Sequence, residues 1–508
     1  MTRAMRTRLA LALFLTLSAC GESPADRIAR ARQEIAGMEL AAARVDLVAA
    51  LAEQGDDPAT LRLLADVQLR LGDGEGAAAT ADRLERAGAT PADLMPIRAE
   101  AALLRGNPDA ALALLGSAAS SHAERVRAAA LLAKEDASGA LAALRRGVAV
   151  GADPLLLRDY ARFLIGAGDF DGAASQIAAL SRLQPDGFDA LMLGADLAAR
   201  RGRHAEAHGL LEKAAARYPK VPDALIARAT VFDLEGKLDE AVAMTNRAAT
   251  IAPDDPRVRD LKVQFAAMKG DWSTVRSLLA REERTLDPLS ANGLSYAEAM
   301  LRTGHPEQAR ALFQRALTRS PNNPFSRLML AEAQLATGDA RAAHATVVPL
   351  ASSVMAEQRE LELAAKAAEA AGLPEATAYR ARLADARRGM VKALSAEGNA
   401  ALVREDWPKA VDVFSRLAQQ GEDAEVLKRL ALALSHQGRA DEAIRTADRA
   451  RALRPDDPDT SYMAGLVRVR AGRDVPAAIA MLQQAVQAAP DNVIFRQALA
   501  RYHLREAS

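Results

Sequence analysis

Apolar and charged residues interleave along most of the chain, and the interleaving is broken at fixed intervals. In LEGKLDEAVAMTNRAATIAPDDP, residues 234–256, a glycine stands at 236, an alanine at 241 and a proline at 253. Steps of 34 from Gly236 meet Gly168, Gly202, Gly270, Gly304, Gly338 and Gly372, and the same step joins Gly72 to Gly106 and Gly438 to Gly472. With 31 glycines in 508 residues, a blind step would meet one about once in sixteen tries, so the chain is internally repeated. Five residues after the glycine comes alanine at 77, 111, 173, 207, 241, 309 and 443, and twelve further on comes proline at 185, 219, 253, 321 and 455.

Each mark has a physical task in a two-helix unit. Glycine takes the left-handed conformation that a side chain penalises, so it ends a first helix and lets the chain reverse. Alanine lets the second helix cross the first closely. Proline stops the second helix, and the Asp and Asn beside it, in PDDP at 253 and 455 and PNNP at 321, cap the next first helix.

A 34-residue helical hairpin with these marks resembles the tetratricopeptide repeat. That family has a large residue near position 4, Leu at 7, a small residue at 8 and an apolar one at 11. The unit from Ala424 supplies Leu427, Leu430, Ala431 and Leu434; the unit holding Gly236 supplies Leu225, Ala229 and Phe232, with Arg228 departing at position 7. The aromatic residue after the turn appears as Phe170, Trp272 and Trp407, which places both tryptophans in the core. The resemblance covers residues 24–508 and implies an all-α fold, a right-handed superhelical solenoid of about 13 helix-turn-helix repeats.

The repeats are not uniform. Glu135 stands where glycine is due and follows Gly106 by 29 rather than 34, and Glu405 also replaces glycine. Gly37 lies about one period before Gly72 and marks an opening unit. Between Val347 and Arg388 the proline mark is missing, so longer or tilted helices are expected there. The resulting division is an N-terminal array over 24–344, an irregular helical region over 345–390 and a C-terminal array over 391–508. The last stretch, VIFRQALARYHLREAS, reads as a lone helix covering the exposed end of the stack.

Composition narrows the function classes. Lys plus Arg and Asp plus Glu each total 66, so no charge excess points to nucleic acid as a partner. Aromatics make up 4%, so the core must close through small residues, which suits stacked helices. Cys20 is the one cysteine, which rules out an internal disulfide or a multi-cysteine zinc site.

Arg3, Arg6 and Arg8 precede the apolar run LALALFLTL, residues 9–17, which is followed by SAC. A basic start, a short apolar middle and small residues read as a secretory signal over 1–19, well short of the roughly 20 residues of a membrane span. Leu17-Ser18-Ala19-Cys20 resembles the lipobox of bacterial lipoproteins. The resemblance implies lipidation of Cys20 after cleavage, a tether over 20–23, and attachment to a membrane through the acyl chains. Gly21 follows the cysteine, whereas Asp there marks inner-membrane retention in enteric bacteria; the expected location is the periplasmic side of a Gram-negative outer membrane.

Two patterns invite chemistry and do not support it. His204 and His208 in HAEAH lie one helical turn apart, but the zincin order is H-E-x-x-H and no third ligand is evident, so they read as polar helix surface. GDGEG at 72–76 looks like a phosphate loop, but Gly72 belongs to the repeat turn and no Lys-Ser or Lys-Thr follows. No cofactor or metal is implied and no catalytic motif is found.

In the tetratricopeptide family the first helices line a concave face, and positions 2, 5, 9 and 12 usually touch the ligand. Carried over, these are Arg62, Arg125, Arg158 and Arg162 toward the N-terminal end, then Asp196, Asp233, Asp260, Glu298 and Glu332. A basic stretch followed by an acidic one would select a partner of matching charge order; the competing reading is a solvated helix face. The whole pattern resembles the tetratricopeptide lipoproteins of exopolysaccharide-export and exosortase systems. It implies a scaffold for a protein or peptide partner in envelope assembly, secretion or exopolysaccharide export; the alternative is an envelope enzyme, or a regulator of one, acting on peptidoglycan or polysaccharide.

Overall fold

The computed structural model describes residues 22–490 and 492–506; the proposed signal and Cys20 lie outside them. Among the described residues the regular structure is helical, with no strand. The helices form successive hairpins. These are α1 (Pro24–Ala36) with α2 (Leu40–Gln54), α3 (Pro58–Arg70) with α4 (Gly74–Arg86), α5 (Pro91–Leu104) with α6 (Pro108–Leu115), α7 (Ser121–Ala133) with α8 (Ala137–Val150), and α9 (Pro154–Gly166) with α10 (Phe170–Leu183). Then come α11 (Phe188–Arg200) with α12 (His204–Arg217), α13 (Asp223–Leu234) with α14 (Leu238–Ile251), α15 (Pro256–Met268) with α16 (Trp272–Leu279), and α17 (Ala291–Arg302) with α18 (Pro306–Arg319). The series continues with α19 (Pro324–Ala336) and α20 (Ala340–Ala351), α21 (Gln358–Ala370) and α22 (Glu375–Ala384), α23 (Arg388–Val403) and α24 (Trp407–Ala418), α25 (Ala424–His436) and α26 (Ala440–Leu453), and α27 (Pro458–Ala471) and α28 (Val475–Ala488). Helix α29 (Val493–Glu506) has no partner helix after it among the described residues.

Fourteen hairpins therefore stand where the spacing implied about 13. The extra one fits because some steps are short: α6 has only eight residues, which produces the contracted step from Gly106 to Glu135.

Every one of these hairpins turns on a left-handed residue. Gly236 has φ 72°, and the other comb glycines share this conformation. Where glycine is missing the backbone keeps the same shape: Glu135 has φ 63° and Glu405 φ 56°. The opening turn corrects the reading of Gly37. Its φ is −80°, and the left-handed residue is Met38 at φ 63°, one full period before Gly72. A side chain in this region costs about 1–2 kcal/mol, so three turns are held by what surrounds them.

The residue after the turn is a cap that the comb did not reveal. Asp73, Asn107, Asp136, Asp169, Asp271, Asp339 and Asp406 each accept the backbone N–H three residues on, at the start of the second helix. The alanines at the fourth residue of the second helices, such as Ala77, Ala173, Ala207, Ala241 and Ala309, are fully buried. The prolines stand two residues past the last helical residue: α10, α12, α14, α18 and α26 end at 183, 217, 251, 319 and 453. Asn323 and Asp457, from PNNP and PDDP, cap α19 and α27. Trp272 and Trp407 are half-buried and pack against the core rather than within it. Arg228, the departure at position 7, stays by lying over the Phe232 ring, 5.6 Å from its centroid, and 3.6 Å from Glu212.

The helices gather into two compact units, residues up to Arg259 and from Asp260 onward. That division falls inside α15, where the repeat pattern is unbroken. In the N-terminal unit, Met38 of the first turn packs with Leu191 and Tyr218, and Lys220 Nζ lies 2.9 Å from Glu39 Oε2.

In the C-terminal unit the region without a proline mark brings distant hairpins together. Helices α21 and α22 have 13 and 10 residues, so they are not the longer helices expected; the following α23 has 16. The segment after α20 docks on α25 instead. Val354 N–H donates to Asp423 Oδ2 at 2.6 Å, and Val354 and Met355 pack on a core containing Val426 and Leu430. Arg382 donates to the carbonyls of Ala351 and Ser353, Arg454 donates to Pro349 O at 2.9 Å, and Asn322 Nδ2 donates to Asp457 Oδ1 at 2.8 Å.

The turn geometry sets opposite signs for two substitutions. Gly236→Ala lowers stability by about 1 kcal/mol, because the alanine methyl must enter the left-handed region, whereas Glu135→Gly and Glu405→Gly raise it by roughly 0.5–1 kcal/mol. Both glutamates are exposed, so little packing is lost. Thermal unfolding of the three variants checks this.

Candidate partner-binding face

The first helices of neighbouring hairpins carry the charged residues singled out by the sequence, and within each compact unit several of them pair across to the next first helix while others pair within their own helix. Arg62 on α3 reaches Asp93 on α5 at 3.3 Å. Arg125 on α7 is 8% exposed, which makes it an interior residue rather than a surface one; it lies 2.5 Å from Glu100 on α5 and 3.5 Å from Asp159 on α9. Arg158 bonds Asp159 at 2.8 Å, and Arg162 stands 4.0 Å from Asp189 on α11.

The acidic set is answered in the same way. Asp196 pairs with Arg200 at 2.9 Å, and Asp233 also has a partner. Asp260 accepts from Asn292 Nδ2 at 2.9 Å. Glu298 on α17 pairs with Arg302 at 3.2 Å, and Glu332 on α19 binds Arg302 together with Arg359 of α21, the latter at 2.8 Å.

Two further rungs lie outside the residues that the repeat positions mark: Arg257 on α15 with Asp223 on α13 at 2.8 Å, and Lys428 on α25 with Asp459 on α27 at 3.7 Å. The partners on neighbouring first helices are 25 to 34 residues apart in sequence. Opposite charges about one repeat apart were the available signal. A search one position at a time passes over it, because the counter-ion sits at a different position in the next unit. Within each unit the face is thus a set of compensated pairs, with its basic and acidic stretches each largely neutralised.

Burial decides which rungs matter energetically. Arg62 and Arg162 remain mostly exposed, so their pairs contribute little. Glu100 is different. Burial pushes its carboxyl up, but the hydrogen bond from His122 at 2.7 Å and the Arg125 guanidinium outweigh that and hold it at about 2. Glu332 shows the same balance: burial raises it, and its bonds from Arg302 and Arg359 bring it below the ordinary range.

Of the two histidines, His208 is not free polar surface. His208 Nε2 lies 2.8 Å from Glu235, and its ring lies tilted by 31° against Phe232 with centroids 4.0 Å apart, so it ties α12 to the end of α13. Among the described residues no group of His, Cys, Asp and Glu is placed to hold a metal ion. In GDGEG, Gly74 and Gly76 are packing residues: a Cβ on Gly74 would come 2.8 Å from Ala101 O, and one on Gly76 2.4 Å from Asp73 Oδ2.

Comparison with known proteins agrees with this architecture. Tetratricopeptide repeat family models match residues 58–83, 97–117, 159–208, 198–265, 296–354 and 395–458, together more than half of the chain. The chain belongs to the tetratricopeptide repeat family. It is similar to cellulose synthase 2 operon protein C of Komagataeibacter xylinus, with 29% identity over 237 residues, 46% of this chain and 16% of that protein. The chain thus matches about a sixth of that relative's length. Among solved structures it is similar to Cut9-Hcn1 of the APC/C, at 16% identity and a TM-score of 0.38, covering 93% of this chain and 94% of that one. It is also similar to Pseudomonas aeruginosa pilF, at 20% identity and a TM-score of 0.35, covering 42% and 97%.

The Glu100 cluster generates a pH prediction. A carboxyl whose folded value is depressed adds stability that is complete above its ordinary value of 4.5 and fades as pH falls toward about 2. Glu100→Ala should cost about 3 kcal/mol at neutral pH, since Arg125 stays buried with weaker compensation, and should flatten the acid limb below pH 4.5. Urea unfolding as a function of pH measures both effects.

Proposed function

We propose that this protein is a non-catalytic scaffold that binds a protein or peptide partner along its first-helix face, in envelope assembly, secretion or exopolysaccharide export. The observation that carries the reading is that, within each compact unit, neighbouring first helices present polar side chains held by ion pairs such as Arg62–Asp93 in one and Arg302–Glu332–Arg359 in the other. Such pairing offers a preorganised, extended surface at low ordering cost. A partner's charged groups would exchange with exposed rungs such as Arg62–Asp93 and Arg162–Asp189, so charge order would govern register and association rate more than affinity.

The setting is proposed from the N-terminal residues and from the relative. The signal over 1–19 and the lipobox ending at Cys20 support a lipid anchor on the periplasmic side of the outer membrane. The similarity to a cellulose synthase operon protein favours a place beside exopolysaccharide synthesis or export.

Photo-crosslinkers at Arg62, Arg162, Glu298 and Glu332 in intact cells should capture one defined partner, whereas crosslinkers at Arg86 and Arg182, at the ends of second helices, should not. Equal capture from both sets, or none from either, would overturn the reading. Separately, labelled palmitate should enter the chain, and Cys20→Ala should abolish the label and release the protein from the membrane fraction.

A further inference from the structure

Met38 is an anomaly among the hairpin turns. It occupies a position where glycine is the rule, at φ 63°, and unlike the exposed Glu135 and Glu405 its side chain is not free in solvent. It packs against a core cluster of Leu191, Ala214, Tyr218 and Ala224, which Phe188 and Val221 also flank, about 150 to 185 residues further along the chain. This seat is itself ordered. Phe188 and Tyr218 meet edge to face with centroids 5.2 Å apart, and the Tyr218 hydroxyl donates to Asp186 O at 3.3 Å. Beside the plug, Glu39 and Lys220 form an ion pair at 2.9 Å, and Arg70 Nη2 lies 3.1 Å from Met38 Sδ.

We infer that the α1–α2 turn is a clasp: Met38 and Glu39 close the N-terminal unit on itself by seating on the α11 and α12–α13 segments, with four hairpins, α3 to α10, enclosed between the two ends of the contact. The indication is that, of the three non-glycine hairpin turns, Glu135 and Glu405 are exposed whereas Met38 packs on a distant core cluster. Glycine there would relieve the turn and remove the plug, so retention of an apolar side chain follows if the distant contact outweighs the local cost of about 1–2 kcal/mol. The clasp fixes the relative positions of the first helices α3, α5, α7, α9 and α11, and its opening would change how widely their face is spread. The seat's occupant is a segment of this same chain, and the inference stands whether or not the proposed partner exists.

Two sets of variants in the full chain test it by hydrogen exchange. With Met38→Gly, amide protection in residues 188–192 and 218–225 should fall roughly tenfold, a local opening, while α2 stays protected. Glu135→Gly should leave those segments unchanged. Glu39→Lys and Lys220→Glu should each loosen the same segments, and the double reversal should restore them. If Met38→Gly behaves as Glu135→Gly does, gaining stability with the seat undisturbed, the clasp is refuted. Failure of the double reversal to restore protection would also count against it.

Discussion

A hairpin of two helices has two sides to cover and only one helix to cover them with, so each unit here leaves an apolar face that its neighbour must bury. With aromatics at 4% of the residues, that burial cannot come from large rings bridging wide gaps. It comes from helices drawn close over alanine, and this makes the fully buried alanines at the start of most second helices, such as Ala77, Ala207 and Ala443, the positions on which the stack depends. A larger side chain at Ala207 or Ala241 would push the two helices of the hairpin apart and disturb the contacts on both sides. Close approach also explains the regular turn. To reverse within three residues and bring the second helix back against the first, the chain must pass through the left-handed region once per hairpin, whatever residue is there.

Polar groups follow from the same geometry. Stacking places equivalent first helices side by side, so a charge on one can reach a charge on the next. Most of these pairs are exposed, and their role is to hold side-chain rows in place rather than to stabilise the fold. The Glu100–Arg125–Asp159 rung is buried enough to do both. Its three members come from three successive hairpins, and losing one leaves the other charges in poor surroundings.

Both compact units also contain contacts that a strictly linear stack would lack. In one, Met38 and Glu39 meet residues near 190 and 220; in the other, the PNNP and PDDP connectors touch through Asn322 and Asp457. A repeat array is otherwise stabilised by nearest neighbours alone, and each such contact makes distant hairpins cooperate.

The amino-acid sequence by itself determined the helical hairpin, its turn residue, its closely packed alanine and its stop, because each is a local backbone or volume requirement that one residue type meets. It also marked the departures at Glu135 and Glu405, although not that their backbones would keep the glycine conformation; the surrounding hairpin imposes that. Only the tertiary structure showed that Arg125 is buried, that His208 lies against the Phe232 ring and that the charges of the first helices are paired within each unit. The reason is common to all three: partner and burial depend on which neighbouring unit lies opposite, and that is decided by how the units stack rather than by any position within one repeat. The same holds for Met38, whose seat lies about five hairpins away and leaves no trace in the local pattern.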